Sequence, residues 1–301
     1  MLTAVNRRWF LQFTALAGAG IALARPGRCL LAAAKATPNA DRLGWRLACC
    51  AYSFNQLSFY ETIEKVSALG LDSIEGFVWQ KLSPEKPKVL TNFSMSAAER
   101  KEMKKRMSDA GVRLVSTYCS KLEVKDDCRR TFEFAKEMGM EFLVAEPPAE
   151  AYDMIEALAN EFQVSLAVHN HPQPSQYWSP DVLLARSKGR GPRIGACADT
   201  GHWCRSNLCP VEQLKRLQGR VVSFHLKDVD TFGEKKAECC PWGTGKGRLK
   251  EILAEMKREG FKGVFGIEYE PYKPENFERI RECIAWFDKT AGELSVCGRS
   301  G

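Results

Sequence analysis

The stretch CADTGHW, Cys197 to Trp203, closes a short apolar run with an aspartate, turns through Thr-Gly and then presents an imidazole. The run before it, Arg193 to Ala198, reads as a short strand. Asp199 then stands at the carboxyl end of that strand, and His202 follows three residues on. Both can be aimed at one point above the strand. Taken alone, D-x-x-H also fits a plain loop with a capping Asp and an exposed His. The rest of the chain decides between these readings.

Working outward, short β-rich runs alternate with amphipathic helical runs. The strand candidates are Leu47–Phe54, Ser73–Phe77, Val112–Tyr118, Phe142–Glu146, Val164–His169, Arg193–Asp199, Val221–Leu226 and Val264–Glu268. Helix signals lie between them. Ser96-Ala97-Ala98-Glu99 has the spacing of a capping box, and Gly111 follows as a stop. Ser179-Pro180 and Cys209-Pro210 place proline at helix starts. Eight strand–helix units in a chain of 301 residues predict a single (β/α)8 barrel in the α/β class. A doubly wound sheet is the rival, but no G-x-G-x-x-G follows the first strand. The glycine-rich Gly243–Gly247, GTGKG, lies after strand seven, where barrels often hold an anion. It misses the phosphate-loop pattern, so a flexible loop is the simpler expectation.

Barrel active sites lie at the carboxyl ends of the strands. Those ends hold Glu75, Glu146, His169 and His171, Asp199 and His202, then His225, Lys227 and Asp228, and finally Glu268 and Glu270. All four histidines of the chain are among them. Several carboxylates facing one axis repel unless a cation sits among them. Glu146, Asp199, His225 and Glu268 therefore make a candidate divalent-metal site. Oxygen-rich ligation suits Mn²⁺ or Mg²⁺, and the imidazole admits Co²⁺ or Zn²⁺. Lys227 either adds positive charge near the reaction centre or pairs with Asp228.

The net charge is +7, and five of those charges come from Arg7, Arg8, Arg25, Arg28 and Lys35, in residues 1–36, which hold no acid. The remainder is nearly neutral, which argues against a nucleic-acid partner. Arg7-Arg8 precede an apolar stretch, Phe13 to Ala24, too short to span a bilayer. Small residues follow. Residues 1–36 are thus expected to be a twin-arginine-like signal, engaging the twin-arginine export machinery and delivering an exported, periplasmic protein. Residues 37–46 read as a linker, 47–288 as the barrel and 289–301 as a loose tail. Twelve cysteines are present and no C-x-x-C, so a zinc ribbon is not expected. Cys49 and Cys50 fit an apolar strand, whereas Cys204, Cys209, Cys239 and Cys240 fall in predicted loops where a disulfide is possible.

The segments AEPP, VHNH, ADTGH, FHLKD and IEYE, in that order, resemble those of the xylose-isomerase-like TIM barrels, the superfamily of sugar isomerases and epimerases and of apurinic endonucleases. The resemblance covers residues 47–288. It implies a single divalent ion on Glu146, Asp199, His225 and Glu268, with Glu146 and Glu268 as base and acid. It also implies that His169, His171 and His202 line a sugar pocket, and that some exported members act on 3-keto-glycosides. Glu75, Lys227 and Trp203 join the expected substrate contacts, Trp203 by stacking on a sugar ring. The endonuclease branch needs histidines at the ends of strands two and three, and these are lacking. The expected activity is abstraction of a proton next to a carbonyl of a sugar or keto-sugar, giving isomerisation or epimerisation. Loss of a leaving group makes it instead a lyase or dehydratase on 3-keto-glycosides or inosose-like compounds. A non-catalytic carbohydrate-binding barrel is the alternative of another class.

Overall fold

The computed structural model describes residues 36–296. Residues 1–35, on which the expected export signal falls, and residues 297–301 lie outside them, and with them Cys29 and Cys297. Eight strands alternate with helices: β1 (Arg46–Cys50), β2 (Ser73–Phe77), β3 (Arg113–Tyr118), β4 (Phe142–Ala145), β5 (Ser165–His169), β6 (Ile194–Asp199), β7 (Val221–Leu226) and β8 (Val264–Ile267). All pair in parallel with their neighbours in sequence, and β1 pairs with β8, so the sheet closes. This is a single (β/α)8 barrel, as the alternation predicts. Among the described residues no helix is long and apolar enough to cross a membrane.

Period-two alternation sorts each strand into two faces. Ile194, Ala196 and Ala198 of β6, Phe224 and Leu226 of β7, and Phe265 and Ile267 of β8 point outward into the core shared with the helices. Ala48, Val115, Phe142, Val144, Ala167, Cys197 and Val264 fill the barrel interior. Continuing the inner face upward by two residues leads from Cys197 to Asp199 and from Ala167 to His169. In β5 and β6 the last inward position is thus the one that carries chemistry. The interior also demands small residues. A Cβ on Gly266 would lie 2.6 Å from the Phe224 carbonyl oxygen and 2.8 Å from Cys50 Sγ.

The helix starts follow their local sequence. Ser96 Oγ accepts from Glu99 N, and the Glu99 carboxylate accepts from Ser96 N at 2.8 Å, completing the capping box. Gly111 ends that helix with φ 67°.

Four expectations need correction. The first strand stops at Cys50, and Ala51–Phe54 form a 3-10 turn. Residues 37–46 are no loose linker: Pro38–Arg42 is a short helix tied to the last helix by Asp288, which accepts from Asn39 N (2.7 Å), Asn39 Nδ2 (2.9 Å) and Ala40 N (3.1 Å). Residues 289–296 are no tail either, because the last helix runs Asn276–Val296 and buries Thr290 and Ala291. Finally, all ten cysteines among the described residues are free thiols, Cys204, Cys209, Cys239 and Cys240 included.

Candidate active site

The D-T-G-H turn shows how the site is assembled. Asp199 ends β6 and is paired in register with His225 of β7. Its Oδ1 accepts from His202 N at 2.8 Å, which caps the helix Thr200–Arg205. Thr200 Oγ1 donates to the Lys227 carbonyl (2.8 Å) and accepts from Lys227 N (2.9 Å), locking the two loops together. A Cβ on Gly201 would lie 2.7 Å from Lys227 Cβ, so the glycine leaves room for the lysine stem.

Two imidazoles face inward, each backed by a carboxylate. His225 Nε2 lies 2.6 Å from Glu75 Oε1, and Glu75 accepts a second hydrogen bond from Ser116 Oγ at 2.6 Å. His169 Nδ1 lies 3.3 Å from Glu146 Oε1. The opposite nitrogens, His225 Nδ1 and His169 Nε2, are buried and make no well-directed hydrogen bond. They face Glu268 Oε2 at 3.2 Å and Asp199 Oδ2 at 3.4 Å, and that Asp199 oxygen also faces the Lys227 ammonium. They converge with the Glu268 carboxylate, so that His169, Asp199, His225 and Glu268 offer four ligand atoms within 4.8 Å of one another. Buried polar atoms without well-directed hydrogen bonds are costly, and a divalent cation among these two imidazoles and two carboxylates would give all of them a common partner. A carboxylate behind each imidazole fixes the tautomer that presents a bare nitrogen to such an ion. The donor set therefore fits a metal.

Glu146 stands one step away from that group. It sits beyond the last residue of β4 and joins His169 and His171 instead. Tyr118 Oη donates to its Oε1 (3.1 Å) and Ser175 Oγ to its Oε2 (3.0 Å), while His171 Nδ1 contacts Oε1 closely. Burial raises its pKa, but the hydrogen bonds from His169 and His171 outweigh this and hold the carboxyl well below the usual carboxylate range.

Lys227 does not pair with Asp228. Its ammonium lies 2.6 Å from Glu268 Oε2, 2.8 Å from Asp199 Oδ2 and 3.0 Å from Glu270 Oε1, with its side chain fully buried. Burial alone would lower its pKa, but these three carboxylates keep it well above the ordinary lysine value. Arg205 adds a second cation, donating to Glu270 Oε1 at 2.9 Å and lying 3.0 Å from His202 Nδ1.

Above the cluster opens a cavity of about 300 Å³ lined in part by His169, His171, His202, His225, Glu268 and Glu270. Glu75 also lines it, from β2. Trp203 does not reach it; it is buried in the core between barrel and helices, 1% exposed. The aromatic wall comes from elsewhere: Tyr52, Phe77, Trp79 and Tyr118 follow one another with ring centroids 5.3–5.7 Å apart. Sequence reading missed these four, and gave Glu270 no role. Applied to aromatics, the same strand-end rule finds them, since they follow β1, end or follow β2, and end β3.

A closed barrel with a buried His/Asp/Glu cluster at its carboxyl face defines a class of protein. The family model described as xylose isomerase-like TIM barrel matches residues 63–290, and the chain belongs to that family. Solved structures with the same fold include an uncharacterized protein from Parabacteroides distasonis, at 29% identity and TM-score 0.67, covering 82% of this chain and 99% of its own. A D-tagatose 3-epimerase-like protein is 17% identical with TM-score 0.65, over 83% and 99% of the two chains. A Mycobacterium smegmatis barrel in complex with magnesium is 15% identical with TM-score 0.68, over 83% and 97%. No curated protein sequence matches the chain.

Proposed function

We propose that the chain is a divalent-metal-dependent enzyme that moves a proton at a carbon beside the carbonyl of a sugar, as an isomerase or epimerase. The observation that carries this reading is the convergence of His169 Nε2, Asp199, His225 Nδ1 and Glu268 beneath an open cavity, each imidazole backed by its own carboxylate. These four residues would hold the ion. The magnesium complex of one fold neighbour and the bound zinc of another, IolI, agree with such a site. A bound ion of this kind polarises carbonyl and hydroxyl oxygens as a Lewis acid.

The chain supplies the rest. Glu268 lines the cavity at the end of β8. Glu146 does not line the cavity itself; it touches His171, whose ring does. The two carboxylates stand just past different strands, β4 and β8, and in this reading Glu268 acts directly and Glu146 through His171 in removing a proton and returning it. His202 and Glu270 complete the polar lining. The same first step followed by loss of a leaving group makes a lyase, and product analysis separates the two.

The test is direct. Purified protein incubated with Mn²⁺, Co²⁺ or Zn²⁺ should retain one equivalent of metal. A panel of ketoses and 3-keto-glycosides in D₂O should show exchange at a carbon next to the carbonyl. Less than a tenth of an equivalent of metal, with no exchange from any substrate, removes the proposal. We also propose export by the twin-arginine route, on the strength of Arg7-Arg8. Changing both to lysine in a fusion of residues 1–45 to a reporter should stop export.

A further inference from the structure

The geometry points to a substrate that carries no phosphate: an uncharged sugar ring laid against the Tyr52–Phe77–Trp79–Tyr118 wall, with Trp79 as its outermost contact. This inference rests on the proposed sugar chemistry and specifies its substrate. Three observations carry it.

The first is the charge of the cavity. Its lining includes Glu75, Glu268 and Glu270, and no lysine or arginine among the described residues. Lys227 lies behind Asp199, Glu268 and Glu270 with no exposed surface, and Arg205 is engaged by Glu270. A phosphate entering here meets three carboxylates and finds no lysine or arginine, and the imidazoles of His169, His171 and His225 already face carboxylates.

The second concerns the place where barrels commonly seat a phosphate, the loops after strands seven and eight. In this chain the loop after β7 is folded around its own anion. The Asp228 carboxylate accepts from Gly243 N (2.8 Å), Gly245 N (3.0 Å), Gly247 N (2.8 Å) and Val229 N (3.1 Å). A Cβ on Gly245 would lie 2.5 Å from Asp228 Oδ1. GTGKG is therefore a nest of backbone donors already filled by a side chain, and its N–H groups are spent. The loop after β8 contributes Glu270, again an acid.

The third is the wall. Trp79 is 44% exposed and Tyr52 36% exposed, unusual for large aromatics, and both line the cavity. An aromatic face offers apolar area to the C–H face of a sugar ring, while the carboxylates and imidazoles accept and donate to its hydroxyls.

The experiment uses the full chain loaded with Mn²⁺ and pairs of probes: D-fructose with fructose 6-phosphate, and D-tagatose with tagatose 6-phosphate. Binding is followed by calorimetry and C–H exchange by NMR in D₂O. The unphosphorylated member of a pair should bind and exchange, with its 6-phosphate at least tenfold weaker. Trp79→Ala should weaken the neutral sugar about tenfold with metal content unchanged; Trp79→Phe should recover most of the loss, which separates stacking from a folding defect. A 6-phosphate that binds as tightly as its parent, or a Trp79→Ala protein with unchanged affinity, overturns the inference while leaving the metal-dependent sugar chemistry in place. Absence of metal binding and of exchange with every probe removes that chemistry, and this inference with it.

Discussion

The ammonium of Lys227 lies 2.6 Å from the carboxylate of Glu268, and both side chains are buried at the floor of the barrel mouth. The lysine also touches Asp199 at 2.8 Å, so one protein cation is shared by two of the residues that would hold a metal. Burying ions is costly unless they are paired, and removing one partner of a buried pair costs about 3–5 kcal/mol. Lys227→Met should therefore lower the stability of the metal-free protein by about that amount. Bound metal should return part of the loss, because a ligand that binds only the folded state stabilises it. Thermal unfolding with and without Mn²⁺ checks this. The Tm gain on adding metal should be larger in the variant than in the parent, and an equal gain would show that Lys227 is not electrostatically linked to the site.

Glu75 and Glu146 stand behind His225 and His169 in the same relation, on the nitrogen away from the cluster. Such partners typically contribute about 10–100-fold to metal affinity by fixing tautomer and ring orientation. Glu75→Gln and Glu146→Gln should each weaken metal binding within that range. Asp199→Ala should abolish stoichiometric binding, since it removes a charged ligand. A metal titration of the three variants orders them. If Glu146→Gln matched Asp199→Ala, Glu146 would be a ligand itself, as the sequence alone suggested.

Much of this site is legible in the sequence, and the illegible part has a physical reason. Six of the eight strands carry a Glu, His or Asp near or just past their ends (Glu75, Glu146, His169, Asp199, His225, Glu268), and period two makes that visible without coordinates. Which donor atoms then meet depends on strand register and on where each strand stops. β4 ends at Ala145, so Glu146 lies just past the pairing and swings toward His171. β5 ends on His169 itself, whose Nε2 takes the inner place. A string of residues does not carry that half-turn of difference. Trp203 looked like a sugar platform because it follows His202, yet the helix Thr200–Arg205 sends it into the core. Asp228 follows Lys227 directly in sequence, but as successive residues they face opposite ways, one to the carboxylate cluster and one to the glycine loop.

That glycine loop gives a stability prediction. Replacing Asp228 by Ala leaves the Gly243, Gly245 and Gly247 N–H groups without their acceptor. Each buried donor left unsatisfied costs about 1–3 kcal/mol, less where water enters. A loss of several kcal/mol in denaturant unfolding is expected, with Asp228→Asn losing less because its amide oxygen still accepts. Inorganic phosphate should rescue Asp228→Ala in part, by filling the nest. A neutral effect of Asp228→Ala would mean that the loop does not depend on the carboxylate.

Away from the site, Glu259 gives the fold a pH dependence of its own. It follows the helix Leu249–Arg258, and its carboxyl is held against that of Glu255. Burial first, and the neighbouring Glu255 second, push its pKa up from 4.5 to about 7, with Arg258 opposing. The native state thus holds a proton more tightly than the unfolded chain does. For an acid shifted upward, the stabilising contribution is full below the unfolded pKa and is lost as pH rises through the folded one. Between pH about 4.5 and 7, then, this carboxyl makes stability decline as pH increases. Other groups titrate in that window, so the comparison is between parent and variant. Glu259→Gln carries no proton to lose, so the difference in Tm between Glu259→Gln and the parent should grow from pH 5 to pH 8 in favour of the variant. A difference that stays flat across that range would show that Glu259 titrates normally in the folded protein.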